Sequence, residues 1–409
     1  MSMFGALRLP RAILFGSGQR RAIGSATARV GRRALICTDA RLAATPEFAE
    51  MLADLRAANV ETCVYDQTAP DLPIESVLDC VARTRDFGAD VVIGVGGGSC
   101  MDLAKVAAVL LTHGGDVRAY YGEFAVPGPV MSLIAVPTTS GTGSEVTPVA
   151  VIADSERGAK VGIASPYLIP KVAICDPELT LSCPPALTAC SGADALTHAV
   201  EAFTTLARPA DPMLTQQHVF VGKNVLSDHF ARLAVGNIFR YLPRAHRDGN
   251  DLEAREGVML AALAAGCAFG TAGTAAAHAL QYPVGNLTHT AHGDGVATLL
   301  PFVMQYNRSA CAAAFAELAR TVRLDADGLD DDALSQRFVE AVAELLASIG
   351  IPRSLRDLGL AEGDRDQVAE AGLAATRLVK NNPRPLDLTA MRHITYAAYA
   401  GERDTLRAL

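Results

Sequence analysis

No CxxC pair occurs in this sequence, and its nine cysteines, an odd number, are scattered from Cys37 to Cys311. That spacing excludes a disulfide framework and reads as small core residues in a reducing compartment. Tryptophan is absent, and no internal repeat or low-complexity tract is evident. With hydrophobic residues at 50% and charged ones at 20%, the balance excludes a disordered or fibrous chain and fits a compact soluble enzyme. Basic residues are outnumbered by acidic ones, and the formal net charge is −8. Nucleic acid and anionic membranes would repel such a chain, so neither is expected as a partner. The start, MSMFGALRLPRAILFG, lacks the basic head, apolar run and small-residue cleavage site of a signal peptide, and the cytoplasm is the expected location.

Charge is missing altogether between Glu256 and Asp294, a stretch that nevertheless contains three of the nine histidines, His278, His289 and His292. Breaks at Gly266, Gly270, Gly273 and Pro283 speak against a membrane span and for a buried pair of central helices. A buried imidazole needs a partner: a backbone carbonyl, a carboxylate from elsewhere in the chain, or a metal ion.

At 409 residues two domains are expected. ALICTD (34–39), ETCVYD (61–66), DVVIGVGG (90–97), SLIAVPTT (132–139) and KVAICDP (171–177) read as strands of nearly continuous apolar character, covered on both faces. Helical stretches separate the first four, which implies a doubly wound, Rossmann-like parallel sheet. VTPVAVIADSERGAKVGIA (146–164) reads as a β-hairpin turning at Ser155 to Gly158. After Pro184-Pro185 only helical periodicity remains. The expected organisation is an α/β nucleotide-binding domain over 1–184 and an all-α domain over 185–409, with 208–224 an irregular excursion.

GVGGGSCMDLAK (94–105) follows a strand and opens a helix. The N–H groups of Gly97, Gly98 and Ser99 can there donate to phosphate oxygens, with the helix adding its positive end; a tight turn without ligand is the alternative. PTTSGTGSEVT (137–147) leaves a second strand in the same way. Asp39 closes the first strand and can accept from an adenosine ribose, or serve as an ordinary turn aspartate. Together these features suggest a dinucleotide. In LTACSGADALTHAVEAF, Asp194 and His198 stand four apart on one helix face, as a metal pair or as a helix-surface pair. With the histidines of the uncharged stretch they would form an N/O site suited to iron(II), zinc or manganese.

GGGSCMDLAK, VPTTSGTGSEVT, DPELTLSCPPALTACSGADALTHAVEAF, HALQYPVGNLTHTAHG and VKNNPRPL, in this order and with closely similar spacing, resemble the iron-containing (group III) alcohol dehydrogenase family from about residue 6 to 398. The resemblance implies the dehydroquinate synthase-like fold of that family. It implies a divalent metal, iron(II) first, held by Asp194, His198, His278 and His292, leaving His289 a supporting or loop role. It also implies NAD(P) contacts from Gly97, Gly98, Ser99, Asp102, Thr138, Thr139, Thr142 and Lys160, with Asp39 at the ribose. The expected activity is hydride transfer between NAD(H) and a small alcohol or aldehyde, in a homo-oligomer, at least a dimer. A carboxylate at the ribose favours NAD over NADP, against the nearby Arg41. A hydroxyacid–oxoacid transhydrogenase or a maleylacetate-reductase-like activity on the same scaffold is the alternative. A dehydroquinate-synthase-like lyase is disfavoured by the scarcity of Lys and Arg around the ligands, and a non-enzymatic sensor by retention of all four. Two departures stand out. Tyr282 occupies a position where many members carry a histidine, which leaves it a candidate catalytic residue but a poor base, and the 208–224 segment looks long.

Overall fold

A computed structural model describes residues 3–157 and 159–407. The chain divides into two compact units. The first comprises Arg8–Ser182 with Thr215–Val219; the second takes up residues 3–7, Cys183–Leu214 and the chain from Phe220 onward. The division along the main chain thus falls at Ser182/Cys183, and two short segments change sides, which hydropathy patterning does not reveal.

The strands of the first unit are β1 (Ala12–Phe15), β2 (Arg33–Cys37), β3 (Glu61–Tyr65), β4 (Val91–Gly96), β5 (Gly122–Glu123), β6 (Ser132–Pro137), β7 (Val149–Asp154), β8 (Ala159–Ala164) and β9 (Val172–Cys175). Its helices are α1 (Ile23–Ala28), α2 (Ala40–Ala43), α3 (Pro46–Ala57), α4 (Ile74–Thr84) and α5 (Gly98–His113). Six strands form one all-parallel sheet in the order β1-β9-β6-β4-β2-β3. Alternate side chains leave it on opposite faces. Leu35 and Cys37 of β2 pack with Val77, Val81, Leu103 and Val106 from α4 and α5, while Ala34 and Ile36 pack with Phe48, Met51 and Leu55 of α3. A sheet covered on both faces is what the apolar strands require, and four of the five expected ones behave so. The exception is β3, where Glu61 and Val64 are exposed. It is the edge strand, so one flank has no neighbour to exclude water. At the opposite edge stands β1, which its four residues and lack of a flanking helical pattern had hidden.

The hairpin is present as antiparallel β7 and β8, paired from Val149↔Ala164 to Asp154↔Ala159, with β5 added parallel to β8. Ser155, Glu156 and Arg157 form the turn, and Gly158, the last expected turn residue, lies outside the described residues.

The remaining helices are α6 (Pro185–Thr204), α7 (Leu214–Gln217), α8 (Val225–Arg247), α9 (Leu252–Ala272), α10 (Ala276–Thr288), α11 (His292–Thr321), α12 (Asp331–Ser348), α13 (Arg365–Ala374), α14 (Thr376–Val379) and α15 (Leu388–Ala400). The uncharged stretch covers α9 from Gly257 on and all of α10, two helices bent 104° apart at Gly273–Ala275. Every residue from Ala261 to Gln281 is buried, which is why charge is missing there. Among the described residues no single helix is long and apolar enough to cross a membrane.

The 208–224 segment is irregular apart from α7. Its Thr215–Val219 part is gripped within the first unit: the Arg8 guanidinium donates to the carbonyls of Thr215, His218 and Val219, and Val219 N–H donates to Glu123 Oε2 at 2.7 Å.

Candidate metal and nucleotide sites

In the first unit the strand order reverses at β2, because β3 lies on one side of it and β4 on the other. Ligands of open α/β sheets bind outside the carboxyl ends at such a point. Asp39 lies two residues past the end of β2, and Gly97 directly follows β4. Gly97, Gly98 and Ser99 are half-exposed at the start of α5, where the N-terminal N–H groups of the helix have no side-chain cap. Two glycines here are dictated by geometry. Gly96 has φ 149°, a value L side chains avoid, and a Cβ would meet Cys100 Sγ at 2.5 Å. A Cβ on Gly98 would come within 2.9 Å of Thr142 Cγ2. The two glycine and hydroxyl loops therefore touch.

Other bonds lock them together. Thr138 N–H donates to the Gly96 carbonyl at 3.0 Å. The Asp102 carboxylate accepts from Ser144 Oγ at 2.6 Å and from Val151 N–H at 2.9 Å. Asp102 thus orders the second loop from α5. Lys105, 1% exposed, donates from Nζ to Ser144 Oγ, the Thr147 carbonyl and the Val149 carbonyl at 2.8, 3.0 and 2.8 Å. Burial pushes its ammonium down to about 8, and burial pushes the neighbouring Glu145 carboxyl up to about 7. Sequence reading overlooked this buried pair, although a lysine inside the apolar run of α5 was the available signal. Thr139 and Thr142 are half-exposed beside the loop. Lys160 is engaged with Asp71 at 2.5 Å. Asp39 caps α2, accepting from Leu42 N–H through Oδ1 at 2.9 Å, so it is a turn aspartate as well as a half-buried acceptor. Beside these groups lies a cavity of about 390 Å³ with a mixed lining, Leu42, Phe48, Val95 and Leu179 on one hand and Arg20 and Glu178 on the other.

In the second unit the sequence-distant histidines meet Asp194. Ligand atoms of Asp194, His278 and His292 all lie within 4.8 Å of one another. Asp194 Oδ1 is 3.9 Å from His278 Nε2, 3.8 Å from His292 Nε2 and 3.5 Å from His198 Nδ1. These separations exceed a hydrogen bond of about 2.9 Å. They approach the roughly 3.4 Å between two ligands each about 2.1 Å from a tetrahedral ion. His278 Nε2 is buried and makes no hydrogen bond among the described residues. The donor set fits a borderline divalent cation. His198 is nearest to Asp194 but does not join the mutually close set of three; its ring stacks on Phe269 at 4.1 Å and lies 4.6 Å from that of His278. Burial pushes the thiol of Cys190, one helical turn before Asp194, up to about 12.

Three further residues complete the centre. Glu201, 2% exposed, accepts from His278 Nδ1 at 2.6 Å, and Gln281 Oε1 lies 3.1 Å from His292 Nδ1. Neither had been singled out. A signal was there: Asp194, His198 and Glu201 fall at i, i+4 and i+7 on one face of α6, and Gln281 is three residues after His278. The half-buried Tyr282 lies near-parallel to His292, ring centroids 6.4 Å apart. His289 is exposed and ends α10 in the left-handed conformation, φ 54°, which assigns it the loop role.

Comparison with known proteins adds to this geometry. The family described as iron-containing alcohol dehydrogenase matches residues 10–177, and the one described as Fe-containing alcohol dehydrogenase family, C-terminal, matches residues 188–399. The chain is 38% identical to long-chain-alcohol dehydrogenase 1 of Geobacillus thermodenitrificans (strain NG80-2), over 90% of this chain and 89% of that one. It is 32% identical to the NAD-dependent methanol dehydrogenase of Bacillus methanolicus, over 92% and 95%. A crystal structure of a 1,3-propanediol oxidoreductase superposes with a TM-score of 0.90 at 33% identity, covering 97% of this chain and all of the other.

Proposed function

This chain belongs to the iron-containing alcohol dehydrogenase family, and on that premise we propose how its residues divide the work of NAD-linked alcohol oxidoreduction. Asp194, His198, His278 and His292 hold a divalent metal, with iron(II) the first candidate. The observation that carries this assignment is the convergence of His278 Nε2 and His292 Nε2 on Asp194 Oδ1 at 3.9 and 3.8 Å, with a tuned acceptor behind each ring. When bound, the cation supplies Lewis acidity to a hydroxyl or carbonyl oxygen, and the nicotinamide supplies or accepts the hydride.

The rest is binding and orientation by the protein. Gly97, Gly98 and Ser99 donate amide hydrogen bonds to the pyrophosphate, aided by the N-terminus of α5. Thr138, Thr139 and Thr142 line the second loop, while Asp102 and Lys105 hold that loop in place from below. Asp39 keeps one carboxylate oxygen for the ribose and so favours NAD. Lys160, engaged by Asp71, acts at the margin of the nucleotide. The substrate class is small alcohols and aldehydes. Nine free cysteines support a reducing, cytoplasmic setting, and a homodimer is the assembly we propose.

A panel of primary alcohols and aldehydes, followed through nicotinamide absorbance with NAD(H) and NADP(H) on protein of measured metal content, tests the reading. Turnover that tracks metal content and prefers NAD(H) is expected. Equal turnover by fully chelated protein would overturn it.

A further inference from the structure

We infer that Glu201 is a positioning residue that keeps the proton of His278 on Nδ1 and thereby sets the affinity of the centre for a divalent cation, with Gln281 acting likewise on His292. The inference rests on the metal-binding reading above and deepens it.

The Glu201 carboxylate faces donors. It accepts from Ala275 N–H at 2.8 Å, from Ala277 N–H at 2.7 Å and from His278 Nδ1 at 2.6 Å. All three bonds are satisfied when the imidazole carries its proton on Nδ1. That tautomer leaves the Nε2 lone pair directed to the side where Asp194 lies. The other tautomer would set the Nδ1 lone pair against a carboxylate oxygen at 2.6 Å and place a proton where the cation must bind. Geometry therefore selects one tautomer before any ion arrives.

Gln281 repeats the arrangement with a neutral acceptor. It is 0% exposed, and glycines on either side make room for it: a Cβ at Gly285 or Gly295 would stand 2.8 Å from its side chain. Its amide has little freedom to turn away from His292. Two ligands are thus backed by two acceptors of different charge, and the anionic one should matter more beside a cation.

A purely structural role for Glu201 is the competing explanation. Ala275 offers no side-chain cap to α10, and the two N–H bonds that Glu201 accepts at this helix start do that work instead. Affinity and tautomer separate the two roles, whereas folding alone does not.

The test titrates Co²⁺ into chelated wild type, Glu201→Gln, Gln281→Leu and Gln281→Glu, reading the visible Co²⁺ bands. Histidine ¹⁵N resonances report the tautomer, and melting temperature and NAD binding report folding. In Glu201→Gln, affinity should fall about 10- to 100-fold and the His278 Nδ1–H resonance should shift, because a neutral amide oxygen replaces the carboxylate as its acceptor. Gln281→Leu should weaken binding less, and Gln281→Glu, which keeps the acceptor, should restore it. Unchanged affinity and an unshifted His278 Nδ1–H resonance in Glu201→Gln, even with a lowered melting temperature, would reduce Glu201 to a helix cap and overturn the inference. Should Glu201→Gln fail to fold, Gln281→Leu decides, because it removes no cap: affinity equal to wild type counts against the proposal. A wild type that binds no Co²⁺ would instead defeat the metal reading itself.

Discussion

At the scale of single residues, chemistry is set by which atoms a side chain has left after its structural bonds are made. Asp39 spends Oδ1 on the start of α2, which leaves Oδ2 for the ribose contact proposed above. Asp39→Gly should therefore do two separable things: destabilise the protein by about 1 kcal/mol or less through the lost cap, and shift the ratio of kcat/KM for NAD over NADP toward NADP. A ratio that stays constant while the melting temperature drops would make Asp39 a turn residue only. Tyr282 has the opposite character. Its ring lies beside His292, but a phenol hydroxyl is a poor base at neutral pH. Tyr282→Phe should keep most of the turnover along with metal and cofactor binding; loss of turnover alone would make the hydroxyl a proton carrier. The histidines were legible in the sequence because an uncharged stretch makes any imbedded imidazole conspicuous. Glu201 was not, because one acid at the end of a helix is ordinary until its partners, from a segment more than seventy positions away, are known.

At the scale of elements, the sheet was readable where strands were apolar and flanked by helices, and obscured at the edges. β1 is short, and β3 carries exposed Glu61 and Val64, so periodicity says little about either. The join of α5 to the second loop was also hidden, since it depends on buried polar groups from separate segments. That join carries a pH signature. Burial raises the Glu145 carboxyl from its ordinary 4.5 to about 7. Its favourable contribution is then complete below about 4.5 and is lost as pH rises through about 7. Lys105 is shifted the other way, to about 8; its contribution is complete above about 10.5 and lost as pH falls through about 8, so it changes little in the lower window. Glu145→Gln should consequently gain in melting temperature relative to wild type between about pH 5 and about pH 7.5. Parallel melting curves across that range would mean that Glu145 is not titrating there.

At the scale of the whole molecule, the proposed roles fall to different units: nucleotide loops in one, metal ligands in the other. Helix α8 leaves Val225, Leu226 and Leu233 exposed at 43%, 43% and 38%, and these apolar side chains support the proposed homodimer. Light scattering at micromolar concentration should give twice the 42.8 kDa chain mass; a monomer mass would contradict the assembly. His278→Ala probes whether the centre around Asp194 binds the metal on which NAD-linked alcohol turnover depends, as proposed. Metal content, NAD binding and alcohol turnover are measured on the same sample. Metal and turnover should be lost with NAD binding retained, since the proposed nucleotide loops belong to the other unit; a variant that keeps both its metal and its turnover would overturn the metal assignment.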